Sequence, residues 1–258
     1  MMPKAGYFIL LSVSCLLAGE QGRPPRQPVF VSPQEVDAPS LLPSPPAPGT
    51  SATLAELAEL HRLQETRTAA GIQHAQADDK EESIFLFAGV LGPKFNRAAL
   101  PQTALLSDHI KNDEGVIVGP AKKFFRRPRP YHLDITLRPV CKTTENREDF
   151  SYPSGHGTTG YLEALVLAQM VPEQRDAILA RAEDYAHSRE LCGVHYPSDE
   201  AASRIIAYAM MGAISNHPRF RKELDAARAE TRAVLGLPSA TATARSNSDS
   251  NIFSQREK

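Results

Sequence analysis

The first regular pattern along this chain is a run of leucines at the spacing of one α-helical face. The run consists of Leu54, Leu57, Leu60 and Leu63. Thr53 and Glu56 have the residue types of a capping box at the start of such a helix. The pattern predicts a helix that continues to about Thr66 and buries its leucines in the core.

Two further helices are predicted in the first half of the chain. Residues 67–80 are polar, and the next apolar positions are Ile84, Phe85 and Phe87. They indicate a helix from about Glu81 to Val90, which Gly92-Pro93 ends. From Leu100 another helical face recurs at Leu106, Ile110, Ile117 and Ala121. Because proline removes a backbone donor, we expect Gly119-Pro120 to interrupt this helix and a restarted segment to span Pro120 to Arg127.

Four more helical stretches follow a coil that contains Cys141. They cover about Thr158–Met170, Glu173–Leu191, Ser198–Ser215 and Pro218–Leu235. Alternation of apolar and polar residues, the mark of a strand, is nearly absent. The predicted fold class is therefore all-α, a single-domain helical bundle over residues 51–236.

The two ends of the chain have different patterns. Lys4 and the apolar run Tyr7–Ala18 are typical of a signal peptide over residues 1–20, too short to span a bilayer well. We expect cleavage between Ala18 and Gln21 and export to the periplasm or medium. Lipidation at Cys15 is an alternative, disfavoured because a serine lies three residues before it. Export would leave Cys141 and Cys192 as an even pair in an oxidising compartment, and so as a candidate disulfide.

Proline dominates the segment that follows. Residues 23–48 hold nine of the 21 prolines, so residues 21–50 are predicted to form an extended arm on the domain surface. The final segment, 237–258, is rich in Ser, Thr, Ala and Arg and is predicted to be disordered.

Composition and charge narrow the function classes. The chain has 258 residues, 41% of them hydrophobic, which is enough for one sizeable core. A net charge of −1 gives no overall attraction to nucleic acid or to an anionic membrane. Residues 121–130, by contrast, contain five cations and no acid, so anion binding must depend on local clusters.

Three clusters carry candidate chemistry. In the loop Ser151–Gly157, the backbone N–H groups of Ser154, Gly155 and His156 precede a helix and could surround a phosphate. Read alone, this loop is also compatible with an ordinary turn and a surface histidine. Lys122 and Arg129 could hold different oxygens of one phosphate, although a solvated basic face or a nucleic-acid patch is the alternative.

The third cluster contains Ser188, Arg189, His195 and Asp199. Asp199 could accept a hydrogen bond from one ring nitrogen of His195 while the other nitrogen faces substrate, or the two could form a surface pair. Together the clusters supply three cations, helix-start amides and two histidines. That set is suited to phosphoryl transfer without a metal, because charge is neutralised while one group attacks and another protonates the leaving oxygen.

In this order, the clusters resemble the three-part signature of the phosphatidic acid phosphatase type 2 superfamily. Residues 41–46, Cys141 and Leu191-Cys192-Gly193 further resemble the exported class A bacterial non-specific acid phosphatases, over about residues 30–236. The resemblance implies a soluble helical fold, a phosphohistidine intermediate and hydrolysis of phosphomonoesters without a metal or other cofactor.

The resemblance also implies a role for each residue. His195 is the nucleophile, Asp199 its orienting partner and His156 the general acid. The phosphate-binding residues are Lys122, Arg129, Ser154, Gly155 and Arg189. The chain departs from the family pattern at Tyr196-Pro197, where Trp-Gln is usual, and at Gly157, where threonine usually follows the histidine.

Several functions remain open at this level. A vanadium-dependent haloperoxidase or a phosphotransferase could use the same site, and a non-enzyme periplasmic phosphate binder could use the same cations. A membrane lipid phosphatase is disfavoured because no apolar stretch of about 20 residues follows residue 20. We expect nucleotides, sugar phosphates and aryl phosphates as substrates and vanadate as an inhibitor. The physiological substrate and any homo-oligomer are left open.

Overall fold

The computed structural model describes residues 26–239, and within them the protein is helical with no strand. The helices are α1 (Ala38–Leu41), α2 (Ser51–Thr66), α3 (Ala69–Asp78), α4 (Ala88–Leu91), α5 (Pro101–Phe125), α6 (Pro130–Leu133), α7 (Gly155–Met170), α8 (Arg175–Leu191), α9 (Pro197–Ile214) and α10 (Pro218–Leu235). The all-α prediction is confirmed. The predicted signal peptide and most of the predicted disordered tail lie outside the described residues.

Helix α7 is the centre of the bundle. It packs against α5, α8, α9 and α10, and its residues Leu162, Val166 and Leu167 are fully buried. A helix surrounded on all sides is apolar on all faces, which explains its continuous apolar sequence. The predicted boundaries of the last four helices agree with the structure to within three residues.

The first helix begins earlier than its sequence pattern predicts. Thr50 is the N-cap of α2, and its hydroxyl accepts the Thr53 N–H at 3.4 Å. The predicted capping box at Thr53 and Glu56 is therefore wrong. Thr53 is buried inside the first turn, and the Glu56 side chain extends toward the candidate site described below.

The polar stretch after α2 contains a helix that no hydrophobic periodicity indicates. In α3 the Thr68 hydroxyl caps the first turn by accepting the Gly71 N–H at 3.1 Å. The helix packs on α8 and buries Ala75, while most of its other residues contact solvent at least in part. Its other buried residue, Asp78, is polar, so the hydrophobic signal is too weak to show a helical face.

The predicted helix over 81–90 is replaced by a 3-10 turn, Ile84–Phe87, followed by α4. All four residues of the turn are buried. The Ser107 hydroxyl on α5 accepts the Ile84 N–H at 3.0 Å. A tight turn directs these consecutive apolar side chains into the core, whereas one face of a regular helix would place some of them in solvent.

Helix α5 continues through Gly119-Pro120, so the predicted interruption is wrong. Val116, Ile117 and Ala121 on both sides of the proline are buried in the core. This packing outweighs the loss of one backbone hydrogen bond at Pro120. The helix ends instead at Phe125, and the residue that caps it, Arg126, has a left-handed φ of 51°.

Most residues of the Pro-rich arm are exposed, but several of its apolar side chains are buried in the core. Phe30 is buried and packs edge-on against Phe220 of α10. The Asp113 carboxylate on α5 accepts the N–H groups of Val29, Phe30 and Val31 at 2.7, 2.7 and 3.0 Å. Since these hydrogen bonds satisfy the extended backbone, its apolar side chains are buried at low cost.

The candidate disulfide of the sequence is present. Cys141 and Cys192 form a disulfide with a Cα–Cα distance of 5.3 Å. Across residues 26–239, every helix falls short of the length and apolar character that a membrane span requires.

Candidate active site

A cavity of about 370 Å³ lies where the C-terminal ends of α5 and α8 meet the start of α7. Six of the predicted site residues line it: Lys122, Arg129, Gly155, His156, Arg189 and His195. The other two, Ser154 and Asp199, are fully buried behind them. The structure therefore brings together three clusters that are up to 77 residues apart in the sequence.

His195 is only 2% exposed and is held at both ring nitrogens. Its Nδ1 lies 3.0 Å from Asp199 Oδ2, and its Nε2 lies 2.9 Å from an Arg129 nitrogen. Because a guanidinium only donates, Nε2 must accept, and the ring proton belongs on Nδ1. Burial lowers the pKa of His195 well below its usual value, and Arg129 and Lys122 lower it further. The ring is thus neutral with a lone pair on Nε2.

Arg127 holds the carboxylate behind this histidine. Its Nη1 donates to Asp199 Oδ1 at 2.7 Å, and its Nη2 donates to Glu56 Oε2 at 2.5 Å. Burial raises the pKa of Asp199, and the Arg127 guanidinium opposes that change. Arg127 also stacks over the ring of Tyr196, 3.8 Å from its centroid. Tyr196, one of the departures from the family pattern, therefore packs on the pair that supports His195.

Two cations enter the cavity from the end of α5 and the residues after it. Lys122 Nζ donates to the carbonyl oxygens of Phe150 and Ser151 at 2.8 and 3.0 Å. Burial and the neighbouring Arg129 lower the pKa of Lys122 to about 7, so it is a cation in acid. Arg129 also donates to both carboxylate oxygens of Asp149 at 3.1 Å.

The start of α7 presents backbone amides to the cavity. Ser154 is its N-cap, and its hydroxyl accepts the Gly157 N–H at 3.1 Å, so this side chain supports the helix start from behind. The first intrahelical bond is Thr158 N–H to Ser154 O at 3.1 Å. The amides of Gly155 and His156 precede it and have no intrahelical acceptor. A Cβ atom at Gly155 would lie 2.9 Å from Glu114 Oε1, so a side chain there would displace the buried Glu114 carboxyl group.

His156 and Arg189 form the opposite wall with two acidic residues. Arg189 Nη1 donates to Asp79 Oδ1 at 2.6 Å. His156 Nε2 lies 3.3 Å from Asp79 O and 3.6 Å from Glu82 Oε1. Burial, with Arg189 next, lowers the pKa of His156 to about 3, while the Glu82 carboxylate raises it. Protonation of His156 therefore depends on negative charge beside it.

Three residues of the site are not indicated by the sequence pattern: Arg127, Asp79 and Glu82. Arg127 lies within the basic segment 121–130, but spacing alone did not separate it from its neighbours. Asp79 and Glu82 lie in a polar stretch without a helical pattern, and only the packing of that stretch against α8 brings them to the cavity.

The disulfide closes one side of the site. Val140 N–H donates to the Cys192 carbonyl at 3.1 Å next to the Cys141–Cys192 bond. Lys142, Thr143 and Thr144 follow directly and line the cavity. The cross-link therefore connects this wall to the loop that leads to His195.

One group of side chains within residues 26–239 has its ligand atoms close enough together for a metal ion, and it lies outside this cavity. It consists of His74, Asp78 and Asp184. Arg181 already forms ion pairs with both aspartates. The group is thus accounted for as an ion-pair cluster between α3 and α8.

Comparison with known proteins agrees with this geometry. The family model of the PAP2 superfamily matches residues 114–223, which contain every predicted catalytic and phosphate-binding residue. A non-specific acid phosphatase of Salmonella typhi is 31% identical over 230 residues, covering 86% of this chain and 91% of the relative. A non-specific acid phosphatase of Providencia stuartii is 31% identical over 247 residues, covering 88% and 94%.

A third relative matches over a shorter stretch. An acid phosphatase of Zymomonas mobilis is 36% identical over 148 residues, covering 56% of this chain and 55% of the relative. The alignments to the first two relatives, by contrast, each cover more than four fifths of this chain and of the relative. The chain therefore belongs to the PAP2 superfamily and, within it, to the class A acid phosphatases.

Proposed function

We propose that this acid phosphatase hydrolyses a broad range of phosphomonoesters through a phosphohistidine on His195, without a metal. The observation that carries the proposal is the neutral His195 ring, oriented by Asp199 at Nδ1 and facing a cationic cavity with Nε2. A buried lone pair beside three cations is placed to attack a phosphorus atom whose oxygens those cations bind.

The first step transfers the phosphoryl group to the enzyme. Lys122, Arg129 and Arg189, with the amides of Gly155 and His156, bind the phosphate oxygens. His195 Nε2 forms a bond to phosphorus as the P–O bond to the alcohol breaks. Protonated His156 gives its proton to the leaving oxygen. Arg129 exchanges its contact with Nε2 for a phosphate oxygen.

The second step releases phosphate. His156, now neutral, takes a proton from a water molecule as the water oxygen attacks phosphorus. The P–N bond breaks, and its electron pair returns to Nε2. The cations remain in place through both steps, because the phosphoryl charge changes little in position.

The decisive experiment removes the nucleophile. His195→Ala should abolish turnover of p-nitrophenyl phosphate and keep the helical circular dichroism spectrum, because the substitution removes the attacking nitrogen. His187→Ala, which alters a half-exposed histidine on α8, is the matched control and should keep parental activity. Near-parental turnover by the His195 variant would overturn the proposal. A parent protein that binds phosphate but does not turn over the substrate would overturn it as well.

The intermediate and the metal requirement are tested on the parent protein. Brief reaction with labelled substrate and an alkaline quench should trap phosphate on His195. Label found only on serine would contradict the mechanism. Activity should persist in excess chelator, and vanadate should inhibit competitively as a mimic of phosphate. Activity that is lost with chelator and restored by added metal would refute metal independence.

We also propose that the protein is exported to the periplasm or secreted. The apolar run Tyr7–Ala18 and the Cys141–Cys192 disulfide support this location. N-terminal sequencing of the mature protein from the periplasm or medium should find a start between residues 18 and 22. An uncleaved chain retained in the cytoplasm would contradict export.

A further inference from the structure

Glu200, in the first turn of α9, is a buried acid that the proposed mechanism does not use. Its side chain is 4% exposed, and neither carboxyl oxygen has a hydrogen bond of good geometry, although the Ser154 hydroxyl lies close enough to lower its pKa. A buried carboxyl group without a well-formed hydrogen bond is costly, so its presence needs a structural or functional reason.

The Glu200 carboxyl group lies against Gly157, in the first turn of α7. A Cβ atom placed on Gly157 would overlap Glu200 Oε2, and it would lie 3.0 Å from both Cβ and Oγ of Ser203. The carboxyl group therefore occupies the volume that a side chain at position 157 would fill.

Hydrogen bonds connect the starts of α7 and α9 to each other at Ser154, the residue before the Gly155 and His156 amides. The Ser203 hydroxyl lies 2.8 Å from the carbonyl oxygens of both Ser154 and Asp199. Ser154 N–H donates to Asp199 O at 3.4 Å. A change in the position of Gly157 would consequently move the Gly155 and His156 amides at the front of the same turn.

The surroundings of Glu200 favour the neutral form of its carboxyl group. Burial raises the pKa of Glu200 well above its usual value, and the Ser154 hydroxyl opposes this change, while the charge of Asp199 adds to it. A protonated carboxyl group fills space beside the loop without placing a second negative charge behind the phosphate.

We propose that Glu200 is a positioning residue for phosphate binding, whose carboxyl group replaces a side chain at Gly157 and holds the start of α7 in its binding geometry. The proposal rests on the proposed function, since it assigns the start of α7 to the phosphate. It makes positions 157 and 200 interdependent. A larger side chain at position 157 should be tolerated best when the side chain at position 200 becomes smaller.

A double-mutant cycle tests this dependence. Gly157→Thr should lower kcat/KM for p-nitrophenyl phosphate by about 10-fold or more, because the new side chain overlaps Glu200. Glu200→Ala should raise KM and the inhibition constant of inorganic phosphate more than it lowers kcat, because the loop loses its support. The Gly157→Thr, Glu200→Ala double variant should recover to within about 3-fold of the parent, which is strong coupling for residues in contact.

Control variants separate positioning from folding. Glu200→Gln is neutral and of equal size, so it should keep phosphate affinity within about 3-fold of the parent. Gly212→Thr introduces the same side chain at an open position of α9 and should show no coupling to Glu200→Ala. If Gly157→Thr does not fold, the comparison of Glu200→Ala with the double variant still tests the recovery of phosphate affinity.

Two results would overturn the proposal. One is an additive cycle, in which the double variant loses the product of the two single losses. The other is coupling seen in the melting temperature alone, with the phosphate inhibition constant unchanged, which would make Glu200 a packing residue only. Failure to trap phosphohistidine on the parent would refute the proposed function separately, because the cycle measures phosphate affinity and does not depend on the nucleophile.

Discussion

His156 and His195 face one cavity, and the proposed mechanism requires opposite protonation states of their rings. The attacking nitrogen of His195 must be free, and burial among cations keeps it so. His156 must carry a proton to act as the acid, yet burial and Arg189 lower its pKa to about 3 in the absence of substrate. A phosphate dianion bound between the two rings would raise the pKa of His156, because it places negative charge beside the ring. In the proposed mechanism, the substrate would thus help to protonate its own general acid.

The general-acid role predicts a dependence on the leaving group. His156→Ala should slow phosphoryl transfer from alkyl phosphates by about 10²–10⁴-fold, since an alkoxide needs the proton. The loss should be much smaller for p-nitrophenyl phosphate, whose phenolate departs without it. Single-turnover rates for both substrate types are the measurement. Equal losses would mean that His156 serves binding or loop structure.

The pH dependence of the same rates follows from the charges around His156. Its neighbours are Glu82, which raises its pKa, and Arg189 and Lys111, which lower it. In the substrate complex, the rate should fall on the alkaline side as His156 loses its proton and on the acid side as His195 gains one. Glu82→Gln removes a negative charge and should move the alkaline limb to lower pH. An unmoved limb would show that another group controls it.

At the scale of elements, the site is assembled from helix ends. The last turn of α5, the first turns of α7 and α9 and the end of α8 meet at the cavity, and the disulfide joins the last of these to the coil of residues 134–154. That coil has little regular structure to hold it, although its residues 142–144 form a wall of the site. The disulfide therefore both anchors the coil and holds one wall of the cavity in place.

Removal of the disulfide should be costly. Replacing Cys141 and Cys192 together by serine opens a loop of 51 residues, which the chain-entropy model values at about 4 kcal/mol of unfolding free energy. Denaturant unfolding of the oxidised parent and the double variant gives the difference. We also expect a raised KM, because the 142–144 wall loses its attachment. An unchanged unfolding midpoint would show that packing alone holds the coil.

At the scale of the whole molecule, a buried acid in α7 links stability to pH. Glu163 is fully buried, and the Ser107 hydroxyl donates to it at 2.6 Å. Burial raises the pKa of Glu163 from 4.5 to about 8. Between these two values the folded protein holds a proton that the unfolded chain has lost, so this group's stabilisation is complete in acid and falls as pH rises.

Glu163→Gln should remove this dependence. The unfolding free energy of the variant relative to the parent should rise from pH 4.5 to pH 8, with a slope of up to about 1.4 kcal/mol per pH unit. Denaturant titrations at several pH values measure it. Glu65→Gln, on an exposed face of α2, is the control and should show no such slope. A constant difference for the Glu163 variant would mean that its carboxyl group ionises normally.

The sequence by itself determined the helical class, the boundaries of the later helices and the residues of the three clusters. These features depend on local spacing: a buried helical face repeats every three to four residues, and Pro153-Ser154-Gly155-His156 lies next to such a face. The pairing of Cys141 with Cys192 was also accessible, because two cysteines of an exported chain allow one partner each.

Only the tertiary structure decided what depends on residues distant in sequence. The apolar surroundings of Pro120 keep α5 continuous. Hydrogen bonds to the Asp113 carboxylate hold residues 29–31 of the arm against the core. The packing of α3 on α8 brings Asp79 and Glu82 to the cavity, and the contact between α7 and α9 sets Glu200 against Gly157. A periodic pattern records which side of an element is buried, but it carries no information about which neighbour covers that side, and the charges around His156 and His195 come from those neighbours.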